Sequence, residues 1–374
     1  MNEKLNPFLE HPNGTSLKDP SFVLFKDAKV LVTGHTGFKG SWLIAVLNRL
    51  GAQVTGYALE PQTSPSLYNV IQGDQLCHSI IGDIRDAQKV HQTILDVQPD
   101  FVFHLAAQPI VRTSYQIPAE TFEVNGMGTV HVLDGIRMLK KDCVGVMITT
   151  DKVYENNEKG KAYKESDRLG GHDPYSSSKA VAEIIIESYR KSFFGVSKFP
   201  EFHKPIASAR AGNVIGGGDW AADRLIPDIV RSLSENKPIQ IRNPLSVRPW
   251  QHVLEPLSGY LTLASKMVRN PILYADSFNF GPKAHDVLTV QQMTEMAIEI
   301  WGKGTFLFPD MDNQPHEAGL LSLSIKKAET ILNWKPLWNA HQALFSTLEW
   351  YKSFYNGDPI IPIMNQQIDP FFFN

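Results

Sequence analysis

The chain has 374 residues, 43% hydrophobic and 20% charged, which is the profile of a folded globular protein and excludes a disordered one. A formal net charge of -3 leaves no basic surplus to neutralise a phosphate polymer, so nucleic acid is a poor partner and any nucleotide is met by a few placed groups. Cys77 and Cys143 stand in no metal or disulfide spacing and no apolar run is long enough to span a bilayer, so neither a metal site nor a membrane span is indicated and a reducing cytoplasm is expected.

Residues 1–22 read as a polar N-terminal extension, broken by Pro7 and Pro12. From Lys29 the run Lys-Val-Leu-Val-Thr predicts a strand, glycines follow, and the pattern Ser41 to Leu50 predicts a helix closed by Gly51. Val54 to Tyr57, Asp100 to Leu105 and Val144 to Thr149 predict further strands, with room for a helix between each pair. These runs are continuously apolar, as strands buried on both faces must be. Their alternation with helices predicts an α/β fold, a doubly wound parallel sheet covered on both sides.

Asp173 to Phe194 predicts a helix entered at Asp-Pro, where the missing N–H of Pro174 costs nothing, and Ile206 to Ala211 predicts another strand. After Gly216-Gly217-Gly218 prolines become frequent between short elements. A smaller α/β C-terminal lobe is therefore expected over 216–374, with some segments returning to the domain formed by 23–215. The aromatics Phe371-Phe372-Phe373 either dock on the body or a neighbouring subunit, or are disordered.

Gly34-His35-Thr36-Gly37-Phe38-Lys39-Gly40 lies between a predicted strand and a predicted helix. Such a loop lets a diphosphate approach N–H groups at a helix N-terminus, where the dipole favours an anion. The spacing predicts a Rossmann-type dinucleotide site built by Gly34, Thr36, Gly37, Phe38 and Gly40; a plain glycine-rich turn is the alternative. An acidic residue about 20 positions further on usually holds the ribose hydroxyls. Here that position is Ala58, with Glu60 in the next loop as the available substitute. No arginine stands beside Glu60 to hold a 2′-phosphate, which favours NAD over NADP.

Tyr175 and Lys179 are four apart on a predicted helix and so share a face. An ammonium and a positive nicotinamide ring would favour the phenolate, fitting Tyr175 to take a hydroxyl proton near neutrality. The pair alone is a common surface pattern. Its place after a strand ending Ile-Thr-Thr-Asp-Lys, itself after the glycine loop, is not.

This order resembles the extended short-chain dehydrogenase/reductases, the NAD-dependent epimerase/dehydratase family, from about Lys29 to about Trp350. The strings Gly-His-Thr-Gly-Phe-Lys-Gly-Ser-Trp (34–42), Arg-Ala-Gly-Asn-Val-Ile-Gly-Gly-Gly-Asp-Trp (210–220) and Ile-Arg-Asn-Pro-Leu-Ser-Val-Arg-Pro-Trp-Gln-His-Val (241–253) are similar to the members that dehydrate CDP-glucose. The resemblance implies that Thr150 hydrogen-bonds the reacting hydroxyl, that Tyr175 is the base, and that Lys179 binds the nicotinamide ribose and tunes the tyrosine. It implies Asp151 as general acid and Lys152, where many relatives carry Glu, as base or as a charged stabiliser of an enolate. Asp83 and Ile84 match the segment that brackets adenine. Leu105, Ala106 and Ala107 match the strand end that leaves room for the cofactor, and Asn125 matches an asparagine that orders this region.

Asn213, Arg224, Arg242, Asn243, Arg248, His316 and Glu317 match substrate contacts. A surface ion pair remains open for Arg224, and a simple turn for Asn243-Pro244. The implied activity is that of an NAD-dependent hydro-lyase: oxidation of CDP-glucose at C4, elimination across C5 and C6, and hydride return to C6. Alternatives are a 4-epimerase, a dehydratase of another nucleotide sugar, and a non-catalytic NAD-binding regulator. The family also implies at least a homodimer paired through helices.

Overall fold

Residues that alternate along the predicted strands point to opposite faces of a sheet, and both faces are apolar here, so each needs its own cover of helices. The computed structural model describes residues 16–156, 160–195, 202–286, 288–308 and 321–374. Among them seven parallel strands form the central sheet: β1 (Lys29–Thr33), β2 (Gln53–Ala58), β3 (His78–Ile81), β4 (Phe101–His104), β5 (Val144–Thr150), β6 (Ile206–Ala211) and β7 (Ser277–Phe280). Their order is β7-β6-β5-β4-β1-β2-β3. The chain starts in the middle, runs to one edge, then crosses back, and the reversal between β1 and β4 opens a crevice at the carboxyl ends of those strands. There Thr33 stands opposite His104.

Helices α1 (Phe38–Arg49), α2 (Ala87–Val97), α3 (Gly128–Met138), α4 (Pro174–Ser192), α5 (Leu225–Ser234), α6 (Leu254–Arg269), α7 (Val290–Trp301), α8 (Ala340–Asn356) and α9 (Ile360–Phe372) follow the same logic. On one face Val30 and Val32 pack with Trp42 of α1, Leu257 of α6 and Trp350 of α8. On the other Leu31 and Val102 pack with Ile94 of α2, Leu133 of α3 and Ile186 of α4. No helix among the described residues is long and apolar enough to cross a membrane.

The anticipated strands are found within two residues of their expected ends, and two more join them. β3 escapes a hydrophobicity reading because it is a half-exposed edge. β7 is the returning segment of the C-terminal region and pairs with β6 from Ser277 opposite Ser208 to Phe280 opposite Ala211. Helices α6, α8 and α9 also return to the body, and a small lobe forms around α5 and α7, with two-residue ladders joining Ile239–Gln240 to Phe306–Leu307 and Val247–Arg248 to Leu288–Thr289.

The aromatic tail docks on the body. Phe371, Phe372 and Phe373 are all buried, and the tail is hydrogen-bonded to the segment before the first strand: Lys18 N donates to Phe372 O (2.9 Å) and Asn374 N to Ser16 O (2.9 Å). Of the expected N-terminal extension, residues 1–15 lie outside the described residues; of the remainder, Ser21 and Phe22 are buried in the body, whereas Ser16, Lys18 and Pro20 are exposed. A short 3₁₀ helix, Pro20–Phe25, is capped by Asp19 and buries Phe22 and Phe25. Arg49, at the end of α1, is only 2% exposed; it pairs with Asp369 at 2.6 Å and lies 5.0 Å from the Phe373 ring centre.

Because Phe372 is fully buried, Phe372→Ala should lower stability by about 3–5 kcal/mol, read as a shift of the urea unfolding midpoint. An unchanged midpoint would mean that the tail contributes nothing to the fold.

Candidate active site

The crevice opens into one cavity of about 1420 Å³ that runs from the glycine loop to the C-terminal lobe. Pockets for a single small ligand are about 300–1,000 Å³, so there is room for more than one nucleotide-sized molecule.

At its floor, backbone meets backbone. A Cβ on Gly34 (φ 77°) would lie 2.8 Å from Ala106 N, and one on Gly40 would lie 2.0 Å from Gly34 O, so only glycine permits this packing of loop, helix start and β4 end. Gly37, the N-cap of α1, offers no side-chain acceptor, which leaves the first turn of the helix open to an anion in the cavity. Thr36 Oγ1 donates to Leu59 O (2.8 Å), tying the loop to the end of β2; Ala58 ends that strand and Glu60 lines the cavity. Phe38, Ile84, Leu105, Ala106 and Ala107 also form its walls. Asp83, likewise on the wall, is paired at 2.6 Å with Arg85, which reaches on to Glu120 (3.3 Å) and Glu123 (3.6 Å).

Asn125, matched by resemblance to an asparagine that orders this region, holds the segment after β4 from outside the cavity lining. It is 1% exposed and stands behind the cavity wall. A wide helical turn at Glu123–Met127 carries it; its Oδ1 accepts from Gln108 N (2.9 Å), and its Nδ2 donates to Gln108 O (3.1 Å) and Ser178 Oγ (2.8 Å). It clamps the segment after β4 to α4.

The catalytic candidates converge where β5 ends against α4. Thr150, the last residue of β5, donates through Oγ1 to Asp151 Oδ1 (2.9 Å). Tyr175 stands in the first turn of α4, whose N-terminus Asp173 caps by accepting from Ser176 N (2.9 Å), and Tyr175 N donates to Ser114 Oγ (3.1 Å). One turn later Lys179 is buried, its Nζ donating to Ile148 O (3.3 Å). Lys152 Nζ lies 6.0 Å from the centre of the Tyr175 ring. All five residues line the cavity.

Burial sets their proton affinities. It raises the pKa of the Asp151 carboxyl, against the opposing charges of Lys152 and Arg248 and the Thr150 hydrogen bond. It lowers Lys179 to about 8, against the Glu183 carboxylate. It pushes Tyr175 up to about 12, opposed by Thr150 and Arg224. The phenolate near neutrality expected from the sequence is therefore not supplied by the polypeptide alone: taking the phenol out of water outweighs the cations the chain places near it.

Arg224 pairs with Asp219 (2.8 Å) yet still faces the cavity, so the ion pair and the site coexist. Arg242 bonds Asp223 (3.0 Å), and Asn213, Asn243 and Arg248 share the same wall. His316 and Glu317 lie outside the described residues.

Two residues on the wall were not singled out from the sequence. Arg112 reaches the same Asp223 oxygen as Arg242, at 3.5 Å. Lys39, inside the glycine motif, faces Tyr260 OH at 3.4 Å and is lowered to about 7 by burial, then by the charges of Arg224 and Lys179. The motif names Lys39 but not its direction, which depends on the phase of α1 against α6.

The chain matches the model of the GDP-mannose 4,6 dehydratase family over residues 31–346. It is 44% identical over 343 residues to CDP-glucose 4,6-dehydratase of Salmonella typhimurium, covering 92% of this chain and 96% of that protein. Among solved structures, it is similar to UDP-glucuronic acid 4-epimerase from Bacillus cereus in complex with UDP-glucuronic acid and NAD (25% identity, TM-score 0.73, 87% of this chain and 99% of that one). It also shares the fold of dTDP-glucose 4,6-dehydratase from Bacillus anthracis in complex with NAD (22% identity, TM-score 0.71, 89% and 99%).

Asn125→Ala removes all three side-chain hydrogen bonds of the clamp. A loss of about 2–4 kcal/mol is expected in urea unfolding; a loss below about 0.5 kcal/mol, the range of ordinary surface changes, would mean that the segment is held without it.

Proposed function

The chain belongs to the GDP-mannose 4,6 dehydratase family, and from that premise we propose that it converts CDP-glucose to CDP-4-keto-6-deoxyglucose and water. The observation that carries this reading is the buried Asp151, a carboxyl biased towards its protonated form, in one cavity with Thr150, Tyr175 and Lys179. A 4-epimerase has no leaving hydroxyl and no use for such an acid.

The crevice fits NAD. The open first turn of α1 suits its diphosphate, Glu60 is on the wall for a ribose, and the small Ala106 and Ala107 leave width at the end of β4. NAD, when bound, supplies the hydride acceptor for C4, the hydride donor for C6 and a positive charge that favours the Tyr175 phenolate.

The chain's own residues handle the protons. Tyr175 takes the C4 hydroxyl proton, with Thr150 holding that hydroxyl in line. A ketone at C4 acidifies C5–H, and Asp151 gives its proton to the departing C6 oxygen, which leaves as water. Lys152, in its neutral form, accepts the C5 proton; the ammonium so formed steadies the enolate and returns a proton to C5 as hydride reaches C6. Arg224, Arg242 and Arg248 would hold the substrate diphosphate, with Asn213 and Asn243 beside it. Residues 23–215, joined by β7, α6, α8 and α9, form the cofactor domain, and the remainder of the C-terminal region the substrate lobe.

Purified protein supplied with CDP-glucose should yield a product lighter by one water, whereas UDP-, GDP- and dTDP-glucose should not react. Tyr175→Phe should cut turnover by about 100-fold or more. A product of unchanged mass would make the enzyme an epimerase, and reaction with another nucleotide sugar in place of CDP-glucose would overturn the substrate assignment.

The apolar side chains of Phe122, Met127, Val181 and Ile184, each at least 38% exposed, stand on the neighbouring helices 118–127 and α4. Such a patch suits pairing with a second copy, and light scattering should return at least twice the chain mass; a monomer at micromolar concentration would refute it. The buried free thiols Cys77 and Cys143 suit a cytoplasmic setting.

A further inference from the structure

We infer that Glu183 is a positioning residue for the reaction proposed above, placing a fixed negative charge one helical turn from Lys179 and locking the catalytic helix to the strand end that carries Thr150. The inference rests on that reading of the reaction, but its electrostatic part can be measured without turnover.

Glu183 follows Lys179 by four residues on α4, so the two side chains share a face. It is 2% exposed. Its Oε1 accepts from Thr149 Oγ1 (2.5 Å), and its Oε2 accepts from Ser208 Oγ (2.8 Å) and Arg210 Nη2 (2.7 Å). Thr149 immediately precedes Thr150 on β5, while Ser208 and Arg210 belong to β6. One carboxylate thereby joins α4, β5 and β6 directly beneath the site. Arg210, 4% exposed, continues the connection: its Nη1 donates to Tyr154 OH (2.8 Å), and Tyr154 is on the cavity wall.

A buried ion pair is a poor way to gain stability, because apolar residues of the same volume often serve as well or better. Its use here is local. Burial alone would raise the Glu183 carboxyl, but Arg210, Thr149 and Ser208 hold it below its ordinary value, so it stays charged. Lys179 is drawn down by burial and pulled up by Glu183.

The other titratable groups around Lys179 do not replace that pull. Lys39 on α1 is a repelling cation, and His104 on β4 is neutral, its pKa lowered to about 3 by burial. Arg224 of the C-terminal lobe is positive, Tyr175 is uncharged without cofactor, and Asp151 is biased towards its neutral form. Arg210 is a further cation behind Glu183.

The sign follows. A lysine is charged below its pKa and neutral above it, so removing a neighbouring negative charge makes Lys179 lose its proton at lower pH. Glu183→Gln keeps the shape but leaves Arg210 buried without a counter-charge, and the double variant Glu183→Gln/Arg210→Met removes both charges.

The test has two readouts. The first is a nitrogen NMR titration of the Lys179 amine in lysine-labelled protein, assigned with Lys179→Met. The second is kcat against pH for the NAD-loaded enzyme on CDP-glucose, with thermal midpoints recorded for each protein. In both variants the Lys179 midpoint should fall by about one pH unit or more, and the alkaline limb of kcat should fall with it. Neutral-pH kcat should drop about twofold, as the charged fraction of Lys179 at pH 7 falls from roughly nine-tenths to roughly half, with KM for CDP-glucose nearly unchanged. If Glu183→Gln fails to fold, the double variant decides.

A double variant with wild-type Lys179 titration and pH profile would overturn the inference, and a fall in thermal midpoint alone would leave the pair a structural element. If the wild-type protein does not turn over CDP-glucose, the reaction assignment falls, while an unmoved Lys179 titration separately defeats the role given to Glu183.

Discussion

Taking an ionisable group out of water disfavours its charged form, and the cleft is organised around groups that have been treated in this way. Asp151, Lys179 and Tyr175 are all buried at the carboxyl end of the sheet. Parallel strands make this possible. Their ends finish at one level, their helices begin at the same level, and the reversal between β1 and β4 leaves a gap that neither covers. A polar group at a strand end is consequently buried by its neighbours on both sides and still faces the gap. The same arrangement delivers the amino end of α1 and the amino end of α4 to one cavity, the first suited to an anion and the second carrying Tyr175.

The small lobe closes this space with arginines. Arg224 and Arg242 each have an aspartate partner, Asp219 and Asp223, so their positive charges are held in place before any ligand arrives. A guanidinium already oriented by one carboxylate loses less freedom on meeting a phosphate than a free side chain would. Arg112 reaches Asp223 from the Rossmann side, so the two halves of the chain meet through a carboxylate at the cavity wall.

What could be read in the sequence was whatever depends on short-range pattern. The continuous apolar runs at 30–32 and 144–148 are buried on both faces and announce themselves. The glycine loop is legible because only glycine tolerates the approach of Gly34 to Ala106 and of Gly40 to Gly34. Tyr175 and Lys179 were legible as a pair because a helix fixes their separation. The unread part depends on which elements meet. His78–Ile81 is a half-exposed edge whose polarity hides it, and Ser277–Phe280 joins the sheet only because β6 offers a free side. Asn125 was legible by resemblance as an ordering residue, but its partners were not, since the wide turn at Glu123–Met127 is what aims it at Gln108. Glu183 carried no signal, since an acid on a helix ordinarily faces solvent, and its burial follows from the lateral placement of β5 and β6.

The clasp between Lys18 and Pro370, 352 positions apart, has a consequence for how the molecule is made. Translation delivers β1 and α1 long before α9, yet Phe22 has Phe372 among its neighbours, and the salt-bridge partner of Arg49 is Asp369. The earliest unit of the fold therefore leaves the ribosome with an unfilled apolar surface and a cation awaiting its partner, and it stays so until α9 has been synthesised. Native closure is thereby coupled to the synthesis of α9, and a chain truncated before α9 would present that surface to chaperones and proteases.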